Sequence, residues 1–171
     1  MDIATRIRDA ARLTGTFTLR SGVVSDTYFD KYLFESDPQL LRSIARALVP
    51  LVPQETEVLA GLEMGGIPVV TALSLETDLP AAYIRKVPKT YGTAKFAEGP
   101  ALAGRNVLLV EDVVSSGGAI LDAVAMLRDI DVAAERALCV IDRESGGREN
   151  LAAAGLELLA LFTMSQIEAA P

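Results

Sequence analysis

The feature that most constrains the fold is a repeated alternation of short, largely apolar segments with segments of helical periodicity. Five such segments can be read as strands, and apolar residues at helical spacing lie between them, as from Ile67 to Leu75. Strands that are apolar throughout are buried on both faces, as in parallel sheets covered by helices. The sequence therefore predicts an α/β fold with a five-stranded parallel sheet flanked by helices. The strands are Val58–Gly61, Ala81–Arg85, Val107–Val110, Leu138–Ile141 and Leu158–Phe162.

The residues before this alternation predict a small amino-terminal unit that belongs to the same domain. A helix is expected from Asp2 to about Leu13, followed by extended pieces at 16–19 and 27–30. Asp37-Pro38 is typical of a helix start, with a capping carboxylate followed by a first-turn proline. We expect one domain over residues 1–171, with residues 1–35 forming a hood at the carboxyl ends of the strands, where such sheets bind ligands.

Composition excludes several classes of function. There are 23 acidic and 16 basic residues, a net charge of −7, which disfavours nucleic acid as a partner. No apolar run approaches the ~20 residues that span a membrane, and the start lacks a signal-peptide pattern, so a cytoplasmic protein without a membrane partner is expected. Histidine is absent, which excludes Ser-His-Asp and Cys-His catalysis and histidine-ligated metals. The single cysteine, Cys139, lies in an apolar strand and is expected to be buried.

The most informative segment runs from Val107 to Ala119, Val-Leu-Leu-Val-Glu-Asp-Val-Val-Ser-Ser-Gly-Gly-Ala. Two carboxylates follow a predicted buried strand, and small residues then lead into a helix. Backbone amides of such a loop at a helix N-terminus form an anion-binding site. Glu111 and Asp112 can accept hydrogen bonds from sugar hydroxyls. The segment thus predicts a ribose 5-phosphate pocket; the alternative is a solvated strand end followed by an ordinary loop.

This segment resembles the phosphoribosyl-diphosphate (PRPP) signature of type I phosphoribosyltransferases. The resemblance implies that fold and a PRPP site. It also implies that Glu111 and Asp112 hold the ribose hydroxyls and that the small-residue loop holds the 5-phosphate. The implied PRPP-binding residues of this segment are Glu111, Asp112, Val113, Val114, Ser115, Ser116, Gly117, Gly118 and Ala119.

Two further regions resemble the orotate-specific members of that family on the base side. Phe17–Gly22 and Tyr28-Phe29-Asp30 are similar to the amino-terminal piece in which a cation and aromatic residues line the base pocket. The implied orotate-binding residues are Arg20, Tyr28, Phe29, Ser115 and Arg143. Arg20 stands where the family usually has lysine, which keeps the charge but changes the geometry. Core filling by the two aromatic residues and a surface ion pair at Arg143 are the alternatives.

Residues 86–99 break the alternation, and with the preceding strand end they resemble the family's mobile catalytic loop. Arg85, Lys86 and Lys89 match the cations that reach the diphosphate, and Lys89 would be catalytic together with Glu111 and Asp112. Three cations on a flexible segment can neutralise a diphosphate and exclude water; a solvated charge cluster is the alternative. Tyr91 stands where the orotate enzymes typically have histidine.

Gly61–Ile67 looks like the family's diphosphate loop, although Gly65 stands where some members have lysine. An ordinary strand-to-helix turn is the alternative.

The resemblance implies transfer of phosphoribosyl from PRPP to orotate, giving orotidine 5'-phosphate and diphosphate in pyrimidine (UMP) biosynthesis. It also implies a homodimer whose loop acts across the interface. Mg²⁺ is expected to be carried by substrate oxygens, so no protein metal ligands are expected. The alternatives are a type I phosphoribosyltransferase for another nucleobase and a non-catalytic module that senses PRPP.

Overall fold

The computed structural model describes residues 2–18, 22–87 and 96–171, and its amino-terminal elements form the hood. Helix α1 (Ile3–Ala11) is followed by an antiparallel pair, β1 (Arg12–Thr18) and β2 (Val24–Phe29), and then by α2 (Lys31–Ser36) and α3 (Pro38–Leu48). The predicted caps are confirmed: Asp2 accepts a hydrogen bond from the Thr5 amide at 2.9 Å, and Asp37 accepts two from the first turn of α3. Local capping therefore fixes where both helices begin.

The main sheet has six strands among the described residues. After a short 3₁₀ turn (Val49–Leu51) come β3 (Val58–Leu62), α4 (Gly66–Thr77), β4 (Ala81–Ile84) and β5 (Ala97–Glu98). The remaining elements are β6 (Val107–Val114), α5 (Gly118–Arg128), β7 (Arg136–Asp142), α6 (Gly147–Ala153), β8 (Glu157–Thr163) and α7 (Met164–Glu168). The strand order is β5-β4-β3-β6-β7-β8, and every pairing is parallel except that of β5 with β4. The predicted α/β fold with five parallel strands is confirmed.

Both faces of the sheet are covered, as continuous apolar strands require. Alternate residues of β6 point to opposite sides: Val107 and Leu109 belong to one buried cluster, and Leu108 and Val110 to the other. The first cluster includes the apolar face of α5, and the second includes residues of α1, α3 and α4. Cys139 is fully buried in the first cluster, as predicted. No helix within the described ranges is both long and apolar enough to span a bilayer.

Several predicted boundaries are wrong, and strand pairing explains three of the differences. Helix α1 ends at Ala11 rather than near Leu13, because Arg12 already pairs with Phe29 in the hairpin. Residues 97–98 were expected in the loop but pair with β4. The strand expected at Val107–Val110 continues to Val114, because β7 pairs with it as far as Asp142. The short helices α2 and α7 were not predicted.

Candidate active site

The site begins where β6 extends beyond its neighbour. On one side β3 pairs with β6 only up to Gly61 and Val110. On the other side β7 continues alongside β6 to the pair Val114 and Asp142. Glu111 to Val114 are therefore regular strand residues that lie beyond the last pair with β3 and, on the other side, alongside β7. Glu111 and Asp112 lie within the strand rather than after it, which corrects the expected position of both residues.

The small-residue loop forms a cavity of about 180 Å³ at the start of α5, as the sequence predicted. Ser115, Ser116, Gly118 and Ala119 are exposed, and no side chain of the described residues caps the helix at Gly117. The cavity is lined by Glu111, Val113, Val114, Ser115, Ser116, Gly117, Gly118, Ala119 and Ile120. Uncapped amides at the start of an eleven-residue helix attract an anion, so the geometry suits a phosphate.

Close packing fixes the shape of this loop. Gly117 has φ of +79°, a conformation that favours glycine. A Cβ on Gly147 would lie 2.4 Å from the Ser115 carbonyl oxygen, so α6 approaches the loop as closely as backbone allows. Asn150 Nδ2 also donates to the Ser116 carbonyl at 3.0 Å. The loop is thus supported from α6, and it does not depend on a ligand for its shape.

The two acidic residues face opposite sides of β6, because successive side chains of a strand alternate. Glu111 lines the loop cavity, whereas Asp112 has no exposed surface and faces the hood. Lys31 Nζ, from α2, lies 3.0 Å from Asp112 Oδ1 and 2.7 Å from Oδ2. Contact of Asp112 with a ribose, as predicted from the sequence, would require its carboxylate to turn away from Lys31.

The pKa values of these carboxyls diverge for physical reasons. Burial raises the pKa of Glu111 well above its usual value, and the neighbouring Asp112 raises it further. Burial alone would raise the pKa of Asp112 as well, but hydrogen bonds involving Glu111, Glu35 and Lys31 lower it. Asp112 is therefore the ionised member of the pair, and its charge is balanced by Lys31.

The predicted diphosphate loop lies against Asp112. A Cβ built on Gly65 would be 1.9 Å from Asp112 Oδ2, and one on Gly66 would be 2.4 Å from the Val110 carbonyl oxygen. A larger residue at position 66 would displace β6 or the loop, whereas one at position 65 would push the Asp112 carboxylate aside. The glycine at 65 is thus explained by its contact with Asp112, which the sequence alone does not reveal.

The base of the predicted catalytic loop is tied to neighbouring elements. The side chain of Arg85 pairs with Glu98 at 3.2 Å, and its amide donates to the Phe96 carbonyl at 2.7 Å. The Lys86 amide donates to Glu63 of the diphosphate loop at 3.0 Å, while the Lys86 side chain is exposed. Lys89 and Tyr91 lie outside the described residues, as does Arg20. The roles predicted for Arg85, Lys86 and Lys89 therefore stay predictions.

A larger cavity of about 850 Å³ lies between the hood and the carboxyl end of β7. It brings together three of the predicted orotate-binding residues, Tyr28, Phe29 and Arg143; Ser115, the fourth described one, lies at the phosphate loop. Tyr28 is 44% exposed, whereas Phe29 is half-buried and lies 6.4 Å from the Phe34 ring. Phe29 thus fills part of the core, as the alternative interpretation expected, and also lines the cavity. Arg8, Arg12, Met164, Ile167 and Glu168 also line this cavity.

A backbone hydrogen bond of Arg143 links the linings of the two cavities. Its amide donates to the Val114 carbonyl at 2.8 Å, which joins the end of β7 to the start of the phosphate loop. Asp142, which precedes it, is buried and binds Arg148 and the Glu144 amide, so the turn that carries Arg143 is fixed from below. The Arg143 side chain itself is exposed, which leaves its guanidinium available to a ligand.

Sequence reasoning missed Lys31, Glu35, Arg8 and Arg12. The first two belong to the unpredicted helix α2, whose six residues are too few for periodicity to reveal. Arg8 and Arg12 approach the base cavity only through the tertiary fold. No group of three or more Asp, Glu and Cys side chains in the described part of the chain is arranged to hold a metal ion.

Comparison with known proteins agrees with this geometry. Residues 34–154 match the phosphoribosyl transferase domain model. An orotate phosphoribosyltransferase of Nocardioides sp. is 49% identical over 98% of this chain and 94% of its own length.

Solved structures of the Mycobacterium tuberculosis H37Rv orotate phosphoribosyltransferase are also similar. The complex with inorganic phosphate has a TM-score of 0.87 at 27% identity and covers 97% of this chain and 96% of the other. The complex with PRPP has a TM-score of 0.83 at 25% identity with the same coverage.

The chain therefore belongs to the phosphoribosyltransferase family, whose members share the central, mostly parallel sheet described above. Within that family its relatives are the orotate phosphoribosyltransferases, as their similarity over nearly the whole chain establishes. The resemblance seen in the sequence is confirmed at both levels.

Proposed function

We propose that this chain transfers the phosphoribosyl group of PRPP to N1 of orotate and releases diphosphate. The observation that carries the proposal is the junction of the two cavities at Arg143 and Val114. A phosphate loop without a side-chain cap lies on one side of that junction, and a cavity with an exposed arginine lies on the other. This arrangement suits a reaction that joins a sugar phosphate to a planar anionic base.

The donor would bind along β6 and the start of α5. The amides of residues 115–119 and the hydroxyls of Ser115 and Ser116 would hold the 5-phosphate. Glu111 faces the same cavity and would accept hydrogen bonds from the ribose hydroxyls through its carbonyl oxygen. Asp112 was predicted to act there too, but it faces the opposite side of the strand, and contact with the sugar would require its carboxylate to turn away from Lys31.

Departure of diphosphate builds positive charge on the sugar and negative charge on the leaving group. The loop cations Arg85, Lys86 and Lys89 would stabilise the leaving group. Mg²⁺ would supply further charge neutralisation when bound, carried by substrate oxygens and water. The loop would act across a homodimer interface, as the family resemblance implies.

The base would occupy the larger cavity. Arg143 would donate paired hydrogen bonds to the carbonyl or carboxylate oxygens of orotate, as a planar guanidinium fork does. Tyr28 and Phe29 would flank the ring, with Arg20 as an additional cation. The product, orotidine 5'-phosphate, would place the reaction in UMP synthesis.

The test is a steady-state assay of diphosphate release from PRPP with orotate, uracil, hypoxanthine or adenine, each with and without Mg²⁺. We expect turnover with orotate and Mg²⁺ only. Turnover with another base would reassign the substrate. Binding of PRPP by calorimetry without turnover of any base would instead indicate a sensing module.

A further inference from the structure

A buried charged cluster joins the hood to the donor strand. Helix α2 contributes Lys31 and Glu35, which are one helical turn apart and so lie on the same face. Both reach Asp112 of β6, which is completely buried; Glu35 is 7% exposed and Lys31 is one-third exposed. Charged residues are rarely buried to this extent unless they are paired, so the cluster needs a physical explanation.

Two oxygen atoms of this cluster accept no hydrogen bond among the described residues, Glu35 Oε1 and Asp112 Oδ2, although the Lys31 ammonium forms an ion pair with the second at 2.7 Å. If both carboxyls were ionised, one ammonium would face two buried negative charges, and Glu35 Oε1 would be a buried acceptor without a donor, which is costly. A proton on Glu35 turns one of these atoms into a donor and leaves the other as its acceptor. One proton thus accounts for both atoms.

We propose that Lys31 and a protonated Glu35 are positioning residues that hold Asp112 from two sides and, through it, fix the entrance of the phosphate loop. Lys31 contributes the countercharge, and Glu35 contributes a neutral hydrogen-bond donor. Neither residue is proposed to touch a substrate. The effect on PRPP binding rests on the proposed function, whereas the protonation of Glu35 does not.

Asp112 transmits the effect in two directions. Its Oδ1 atom accepts a hydrogen bond from the Val113 amide at 2.7 Å, at the first residue of the phosphate loop. Its Oδ2 atom lies against Gly65, where a Cβ would be only 1.9 Å away. A carboxylate released by Lys31 would therefore disturb the phosphate loop and the diphosphate loop together. The phosphate loop contacts PRPP in the proposed mechanism, the family resemblance implies the same for the diphosphate loop, and neither loop lines the base cavity.

Electrostatics supports this arrangement. Burial raises the pKa of Glu35 to about 9, and the nearby Asp112 adds to the effect. Burial would lower the pKa of Lys31, but its hydrogen bond and ion pair with Asp112 raise it. The other ionisable groups that act on the cluster are Asp30, Tyr32 and Glu111.

The first experiment compares Lys31→Met with Lys31→Arg in steady-state kinetics. Loss of the cation should raise the KM for PRPP about 10–100-fold, since a hydrogen bond to a charged group contributes roughly 1.5–3 kcal/mol. The KM for orotate should change by less than about threefold, within the usual effect of a distant substitution. Lys31→Arg should restore most of the PRPP affinity. An unchanged KM for PRPP in Lys31→Met would overturn the positioning role.

A double-mutant cycle separates positioning from a general loss of structure. In an Asp112→Asn background the carboxylate that Lys31 would balance is absent. Adding Lys31→Met should therefore change the KM for PRPP by less than about threefold. Equal effects in both backgrounds would contradict the route through Asp112. Arg46→Met, which removes an exposed cation from the neighbouring helix α3, serves as the matched control.

The proton on Glu35 can be measured without any activity. Difference infrared spectra of the wild type and Glu35→Gln at neutral pH should contain the carbonyl stretch of a protonated carboxylic acid that the variant lacks. Glu35→Gln keeps a donor and should keep the KM for PRPP, whereas Glu35→Leu removes it and should raise that KM. A spectrum without that band would overturn the assignment of the proton.

The two kinds of failure are distinguishable. If the wild type fails to use orotate, the proposed function fails, but the infrared result and the calorimetric affinity for PRPP still test the cluster. If the wild type uses orotate and Lys31→Met is equally active, the cluster proposal fails and the function stands.

Discussion

The phosphate loop and the base cavity are built in opposite ways. The loop is one contiguous segment, residues 113–119, whose backbone amides and small side chains would bind the ligand. The cavity takes its side chains from several elements that are distant in sequence, including β2, α7 and the turn after β7. A site built from backbone amides requires small residues in one segment, and that run can be recognised in the sequence. A site built from side chains of several distant elements can be recognised only once the fold is known.

The difference extends to how each region is held. The phosphate loop is supported by α6 through Gly147 and Asn150, and by Asp112 from below. The hood side of the base cavity depends on a two-stranded hairpin, since among the residues that the structure describes β1 and β2 pair with each other and with no further strand. Two-stranded pairs are marginal without packing from neighbours. We therefore expect donor binding to be preorganised and base binding to be more adaptable.

The largest expected effect on turnover concerns the predicted catalytic loop, whose cations would stabilise the leaving diphosphate and belong to neither of the two regions. Lys89→Ala should lower kcat about 10²–10³-fold, as loss of one preorganised donor to developing charge does elsewhere. Single-turnover measurements of diphosphate release would separate chemistry from product release. Affinity for PRPP, measured by calorimetry, should fall much less than kcat. An unchanged kcat would remove Lys89 from the mechanism.

A steric substitution tests whether the donor side is as rigid as its packing indicates. Gly65→Ala places a methyl group where only 1.9 Å separates it from Asp112 Oδ2. Overpacking of this kind costs about 1–3 kcal/mol, so kcat/KM for PRPP should fall about 10–100-fold. The matched control is Gly155→Ala. Unlike Gly65, whose φ is −67°, that glycine has a left-handed φ of +81°, and open space surrounds it, so stability should fall without loss of PRPP affinity.

The base cavity should respond separately. Arg143→Ala should raise the KM for orotate about 10–30-fold, through loss of a charge-assisted hydrogen bond of roughly 1.5–2 kcal/mol. The KM for PRPP should change little, because the Arg143 contact with Val114 is made by its backbone amide. Arg143→Lys should recover only part of the affinity, since lysine lacks the planar fork. Equal changes in both KM values would contradict the separation of the two regions.

The sequence predicted the sheet well because its signal is local. Continuous apolar strands and helical spacing gave five parallel strands, and capping carboxylates gave two helix starts. What it missed depends on pairing between distant residues. The extension of β6 to Val114 requires β7 beside it, and the pairing of residues 97–98 with β4 has no periodic signature.

The site, like the sheet, was predicted where its signal is local and missed where it depends on residues distant in sequence. The cavity at the start of α5 was predicted from its small residues, and Glu111 lines it; the binding of a phosphate there stays a prediction. The orientation of Asp112 was not, because two adjacent carboxylates do not reveal that β6 continues through them and turns them to opposite faces. Lys31 and Glu35 were missed because Asp112, the residue with which both interact, lies about 80 residues further along the chain.

The smallest predicted effect probes the buried cluster of Lys31, Glu35 and Asp112, which supports the donor side. In the folded state Glu35 has a pKa of about 9, whereas an unfolded glutamate titrates near 4.5. Between these values the folded chain retains a proton that the unfolded chain has lost, so this residue makes stability fall as pH rises through that window. Glutamine does not titrate and keeps the donor, so Glu35→Gln should remove this slope.

Denaturant unfolding of both proteins at pH 5 and pH 8 measures that slope directly. The free energies of unfolding should nearly coincide at pH 5, where both chains carry a neutral donor at this position. At pH 8 the variant should be the more stable by on the order of 2 kcal/mol, since each pKa unit corresponds to about 1.4 kcal/mol and neighbouring groups adjust in part. Glu149→Gln, on the surface of α6, controls for removal of one acidic side chain. A stability difference between wild type and Glu35→Gln that is the same at both pH values would mean that Glu35 is ionised in the folded protein, and the hood would then be joined to the donor strand by Lys31 alone.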